Sequence, residues 1–279
     1  MGLRIQNNVE AFNAHRQLTG TAAKAASSME KLSSGYRINR AADDAAGLAI
    51  SEKMRAQIGG LAQAQRNAQD AVSLVQTGEG ALNEVHSILQ RVRDLKVQYD
   101  SGVMSDDDKK AIAAEVQQLG KEVNDISSKT EFNGLKLLGG TSFTFTVGAN
   151  SADTVDVTTV DLAGASGVQD LIDVGSTSTL DAASGAFNSL KVEDIDDMIT
   201  NVSTARSTFG AVQNRLDHRL NNLATYQENL VASESRIRDV DMASEMVNFT
   251  KLQILQQAGT SMLAQANQAP QLVLSLLRG

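Results

Sequence analysis

The 279-residue chain has no cysteine, no tryptophan and one proline, and aromatic residues make up only 4% of it. Without cysteine it can form neither disulfides nor thiolate metal sites, so its stability has to come from packing and assembly. So few aromatic rings exclude a thick globular core built on large buried side chains. Apolar residues still account for 42% of the chain, too many for a chain disordered by composition. They are mostly Ala, Leu, Val and Ile, which suit thin helical bundles with closely spaced axes. With Pro270 the single proline, helices are free to run long. No stretch reaches the roughly 18 consecutive apolar residues of a membrane span. The opening MGLRIQNNVEAFNAHRQL has no apolar run of the kind that marks a cleaved secretory signal. Histidine is scarce too: His15, His86 and His218 stand far apart without ligand-spaced partners. That pattern offers no catalytic centre, no metal site and no cofactor site.

The net charge of −8 is unevenly spread. Residues 1–40 carry six bases against two acids, a balance of +4, and residues 241–279 are neutral, which leaves −12 for the middle. An acidic middle reads as a solvated outer body and argues against nucleic acid as a partner. The bases of the N-terminal arm are scattered rather than run together.

Residues 1–131 and 190–279 read as long amphipathic helices, and the stretch between them as short strands and turns. A chain that leaves as a helix, turns through a small β region and returns as a helix predicts a mainly α fold. The expected architecture is a long antiparallel helical coiled-coil or bundle rod with a small β-hairpin region at its outer end. In the first segment Ile5, Val9 and Phe12 share one face; Ala22, Ala26, Met29 and Leu32 resume it, and Gly35 can stop the helix. Asp43 and Asp44 are placed to cap the next helix. That second helix carries an unbroken three-and-four stripe through Ile50, Met54, Leu61, Leu82 and Leu89. At 1.5 Å per residue it spans about 75 Å, the length of a coiled-coil seam rather than of one face of a globule. Gly78 and Gly80 on this seam are expected to permit close helix approach.

Ser105 followed by Asp108 reads as a capping box for a third helix, which should fold back antiparallel on the second. Phe143, Phe145 and Val147 alternate with polar residues, as do Val155 and Val157, so Gly148 to Asp153 reads as a hairpin loop. Residues 161–189, rich in Gly, Ser, Ala and Asp, are expected to be a loose outer cap. The return helix begins near Val192 and places Phe209, Leu216 and Leu223 on its seam. The last segment holds Met246, Phe249, Leu252, Leu255, Met262 and Leu263, then Leu272, Val273, Leu276 and Leu277, strongly apolar for a chain end. Nothing inside the chain is long enough to cover the two terminal stripes. Such stripes need neighbouring copies, so the sequence reads as a subunit built to polymerise. The acids at Asp106 to Asp108 and at Asp194, Asp196 and Asp197 sit where helices start and read as caps rather than cation ligands.

Seven segments in order carry a family resemblance: IQNNVEAFNA (5–14), LSSGYRINRAADDAAGLAIS (32–51), QRNAQDAVSLVQTGEGAL (65–82), LQRVRDLKVQ (89–98), TEFNGLKLL (130–138), SRIRDVDMASEM (235–246) and ANQAPQLVLSLL (266–277). With them the chain resembles bacterial flagellin, the filament subunit of the flagellum. The resemblance implies an N-terminal core segment with connector at 1–44, rod helices at 45–131, a short β-hairpin and loop region at 132–190 in place of large outer domains, a rod helix at 191–238 and a core helix at 239–279. It implies that residues 1–33 and 241–279 line the inner tube of an extracellular filament used for swimming, and that they fold on assembly. Isolated helices of this length are marginal in water, which gives that behaviour a physical reason. It further implies export by the flagellar type III route, and export-chaperone, cap and junction proteins as partners. A host Toll-like receptor would meet positions Gln90, Arg91, Leu95 and Glu115. A hook–filament junction protein, which shares both arms, is the second reading. Residues 140–190 are too short to fold an inserted catalytic domain, so no enzymatic activity is expected.

Overall fold

The computed structural model describes residues 8–162, 164 and 168–278, with side chains described as far as 268. Ile5 and the side chains of Leu272, Val273, Leu276 and Leu277 therefore lie outside the described residues. The protein is mainly α. Helices α1 (Val9–Ser34), α2 (Ala45–Tyr99) and α3 (Asp106–Lys129) are followed by strands β1 (Glu131–Phe132), β2 (Leu135–Lys136), β3 (Ser142–Thr146) and β4 (Thr154–Thr158). Helices α4 (Gln169–Ser176), α5 (Leu180–Ser189), α6 (Val192–Arg238) and α7 (Met242–Arg278) complete the chain. Two compact units result: residues 1–56 with 229–279, and residues 57–228.

In the second unit α2 buries Leu61, Ala64, Ala68, Ala71, Val75, Gly78, Leu82, Val85, Leu89 and Val92. Their strict alternation of three and four is a heptad seam. Helix α6 answers with Ile195, Met198, Val202, Ala205, Phe209, Val212, Leu216 and Leu223. A Cβ at Gly78 would stand 2.9 Å from the Phe209 ring, so this glycine is the hole that the phenylalanine fills. Gly80 differs from expectation: nothing lies within 4 Å of where its Cβ would be, because it points off the seam.

Helix α3 starts on the capping box. The Ser105 hydroxyl accepts from the Asp108 N–H at 3.2 Å, and the Asp108 carboxylate accepts from the Ser105 N–H at 3.3 Å. The Ser105 hydroxyl also donates to that carboxylate at 2.7 Å, and this bond first, then the one from the Ser105 N–H, holds the Asp108 pKa below its ordinary value. Strands β1 and β2 join through Asn133 and Gly134, both at positive φ (51° and 77°), as a two-residue hairpin of right-handed twist requires. In the β3–β4 hairpin Phe143 faces Val157 and Phe145 faces Val155.

Residues 168–190 correct the expectation of a loose cap. Helices α4 and α5 pack on α3 and bury Leu171, Ile172, Val174, Ala183, Phe187 and Leu190. Helix α4 crosses α3 at a pair of glycines. A Cβ on Gly120 would meet the Leu171 carbonyl at 2.5 Å, and one on Gly175 would meet the Lys121 nitrogen at 2.5 Å. Gln117 locks the crossing by donating to the Thr177 carbonyl at 2.7 Å. The helices are short and rich in small residues, which hides their period. Val168, Leu171, Ile172 and Gly175 nonetheless sit at i, i+3, i+4 and i+7.

Candidate assembly surface

In the first unit α1 and α7 run antiparallel along one another. The α1 residues turned inward are Ala11, Ala14, Leu18, Thr21, Ala25, Ser28 and Leu32, again spaced by three and four. Helix α7 turns Glu245, Phe249, Leu252, Gly259, Leu263 and Ala266 toward them. Most of these are small, so the helices lie close; a Cβ on Gly259 would sit 3.3 Å from Leu18 Cδ1. The Ser28 hydroxyl bonds the Glu245 carboxylate across the seam.

The connectors that follow α1 and precede α7 are tied to each other. Tyr36 and Asp239 form an antiparallel bridge, the Arg37 N–H donates to the Arg238 carbonyl at 2.6 Å, and the Val240 N–H donates to the Gly35 carbonyl at 3.0 Å. Gly35 adopts φ 75° to end α1 there. The Tyr36 ring lies between two guanidinium groups, 5.9 Å from Arg55 and 5.0 Å from Arg238. Arg238 also bonds Glu52 at 2.6 Å, and Arg55 faces Glu234 at 3.5 Å. Asp43 accepts from the N–H groups of Arg40 (2.9 Å) and Asn39 (3.1 Å). Those bonds hold its carboxyl below the ordinary pKa, Arg40 contributing most. Asp44 caps α2 by accepting from the Gly47 N–H at 2.9 Å.

The seam divides the apolar residues picked out in the sequence into two sets. Leu32, Phe249, Leu252 and Leu263 line it, half-buried. Val9, Phe12, Met29, Met246, Leu255 and Met262 are exposed, one or two positions off the heptad frame. Phe12 is 70% exposed. The outward ridge of α7 also includes Met242, Val247 and Ile254, which the sequence reading did not single out as assembly residues. Met246, Val247, Thr250, Lys251, Ile254 and Leu255 line an open groove there. The sequence reading found Leu32, Phe249, Leu252 and Leu263 on the seam but missed its small members, because Ala11, Ala14, Ala25 and Ser28 carry almost no hydrophobic signal. Each terminal helix thus has two working faces: an inner one toward its partner in the chain, mostly small on α1 and mixed on α7, and an outer one of large apolar residues left uncovered. Uncovered ridges of this size mark protein interaction surfaces.

Comparison with known proteins identifies the family. The N-terminal helical region of bacterial flagellin matches residues 5–142, and its C-terminal helical region matches residues 192–277. A flagellin of Halalkalibacterium halodurans is 52% identical over 98% of this chain and 99% of its own length. The chain belongs to the bacterial flagellin family. A flagellin of Bacillus subtilis is 48% identical over 99% of this chain and all of the relative. This flagellin is therefore a structural filament subunit. Its fold is also similar to a solved structure described as a flagellar hook-associated protein of Vibrio parahaemolyticus, at a TM-score of 0.58 over 71% of this chain and 100% of that one. That pair shares 16% identity, and the likeness extends to the fold alone.

The remaining sequence-derived positions lie on α2, α3 and α6. Leu61, Leu82, Leu89, Phe209, Leu216 and Leu223 are buried in the second unit. Met54 is half-buried. Ile50 is not a seam residue: it is 49% exposed, because the buried stripe shifts phase at Leu61, runs back through Ile58, Met54, Ser51 and Gly47, and leaves Ile50 on the flank. Of the receptor positions, Gln90 is exposed with its amide 3.0 Å from His86 Nε2. Arg91 and Glu115 bond each other at 2.7 Å and tie α2 to α3. Leu95 corrects the expectation of a contact residue: it is 2% exposed, facing the core, and presents no side chain to a partner. Among the described residues no group of three His, Cys, Asp or Glu side chains is arranged to hold a metal, and no helix is long and apolar enough to cross a membrane.

Proposed function

We propose that the filament is held together chiefly by the α1–α7 pair, whose outward ridges are covered by neighbouring subunits. The observation that carries this is the contrast between the two units. Residues 57–228 bury most of their large apolar side chains within the chain, whereas the terminal helices meet along a half-buried seam and leave Val9, Phe12, Met29, Met246, Ile254, Leu255 and Met262 exposed. In this reading 1–33 and 241–279 line the inner tube, 45–131 and 191–238 form the rod helices, and 132–190 lies at the outer end. The terminal helices fold as a subunit joins. Ordering a residue costs about 1–2 kcal/mol, so a pair with a thin seam gains by folding only when its ridges are covered as well. Subunits leave the cell by the flagellar type III route with a chaperone on the C-terminal segment, and they add beneath a cap protein. A host Toll-like receptor would approach Gln90, Arg91 and Glu115, with Leu95 acting only through the core. The test is the helix content of purified monomer and of filaments grown from seeds. Helicity must rise on assembly by an amount equal to α1 and α7, and equal spectra would refute the proposal.

A further inference from the structure

We infer that Asn8 and Pro270 act together as a register pin between α1 and α7, an inference that rests on the terminal pair being the assembly element. The seam needs such a pin. It is lined mostly by alanine and other small residues at heptad spacing, so a slip of one turn would set small residues opposite much the same surface. In seams of this kind isolated polar groups fix the register.

Pro270 lies within α7 and has no backbone N–H. The carbonyl four residues earlier, on Ala266, therefore receives no bond from position 270. Asn8 Nδ2 donates to that oxygen at 2.7 Å. The Oδ1 of the same amide accepts from the Ala11 N–H at 3.1 Å and caps α1. One side chain thus closes the broken rung of α7 and the open end of α1. Because a carbonyl only accepts and an N–H only donates, the amide satisfies both in one orientation. Aspartate or serine at position 8 would cap equally well but would not serve the carbonyl in this way. Any other residue at 270 would supply its own N–H and make the asparagine's donor redundant.

The pin agrees with the other polar links along the pair. Asn8 meets Ala266, Ser28 meets Glu245 and Tyr36 meets Asp239, so the paired numbers total 274, 273 and 275. A slip of one turn would move each total by three or four and break all three links.

The test uses whole filaments carrying L18C and G259C. A Cβ at 259 would lie 3.9 Å from Leu18 Cβ, inside the range for a disulfide of about 3.5–4.5 Å, and the chain has no native cysteine to compete. Filaments are oxidised and dissolved, and the intrachain bridge is measured by non-reducing electrophoresis. Adding N8D keeps the cap but removes the donor; the bridge yield should fall roughly threefold to tenfold, the weight of one hydrogen bond in an equilibrium. Adding P270A to N8D returns an N–H to Ala266 within α7 but no bond between the helices, so the yield should stay low. Should N8D prevent assembly, P270A alone carries the test: it makes the Asn8 donor redundant and should lower the yield. Parental bridging in N8D (or in P270A where N8D does not assemble), or full rescue of N8D by P270A, overturns the pin. Parental filaments that do not bridge 18 to 259 overturn the helix pairing itself, and the pin with it.

Discussion

Replacing Ile254 by alanine isolates the contribution of the uncovered ridge. Ile254 is 61% exposed on α7, two positions beyond the seam residue Leu252, and lines the open groove with Met246, Val247 and Leu255. Full burial of an isoleucine is worth about 1.5–3 kcal/mol. With three-fifths of the side chain still in water, about 0.9–1.8 kcal/mol remains to be gained when a neighbouring subunit covers it. Alanine keeps one methyl carbon, so the expected loss is about 1 kcal/mol per subunit, roughly a fivefold rise in critical concentration. The measurement is the protein left in the supernatant when seeded filaments are sedimented at steady state. The isolated subunit should keep its thermal midpoint, because the side chain makes little of its contact within the chain. Leu216→Ala is the contrasting variant: that residue is wholly buried in the second unit, and its loss should cost the subunit about 2–5 kcal/mol. An unchanged critical concentration for I254A, or a fall in its monomer midpoint, would refute the division of the terminal helices into an inner and an outer face.

Three further outcomes follow from the second unit. Gly120→Ala forces a Cβ to within 2.5 Å of the Leu171 carbonyl, so α4 must lift from α3; the unfolding free energy should drop by about 1–3 kcal/mol, and a parental denaturation curve would disprove the crossing. Ser105→Ala removes the α3 cap and should cost about 1 kcal/mol, read as faster amide exchange in residues 106–109; exchange at the parental rate would count against the capping box. Arg93 bonds Asp196 at 2.6 Å and holds that carboxyl below its ordinary pKa. Its contribution is therefore complete above about pH 4, the value of a free carboxylate, and is lost as pH falls through the depressed pKa. Acid unfolding of Arg93→Gln should lack that part of the pH dependence, and superimposable profiles would show that the pair does not couple to folding.

Much of the architecture is legible in the chain because long helices repeat their instruction many times. The α2 stripe is stated over ten heptad positions, so one misplaced member such as Ile50 does not obscure it. The capping box at Ser105 and the stop at Gly35 are equally readable, since each depends on residues within one turn. Helices α4 and α5 escaped because they have only four and two inward residues, and their surroundings are rich in glycine and serine. The small members of the α1–α7 seam escaped for a related reason. Alanine, serine and glycine signal little hydrophobicity, yet they are what allows two helices to touch. The large residues that draw the eye, Phe12 and Met246 among them, turned out to face away from the partner helix.

By itself the order of residues determined the long helices, the caps, the position of the β3–β4 hairpin and the family to which the chain belongs, since all of these rest on local spacing or on short motifs. Only the tertiary structure decided which of two apolar faces each terminal helix turns to its partner. It alone brought Gly120 against Gly175, and Asn8 against the carbonyl that Pro270 leaves free. Those contacts join positions far apart in the chain, and spacing along a sequence carries no information about which distant surface a helix face will meet.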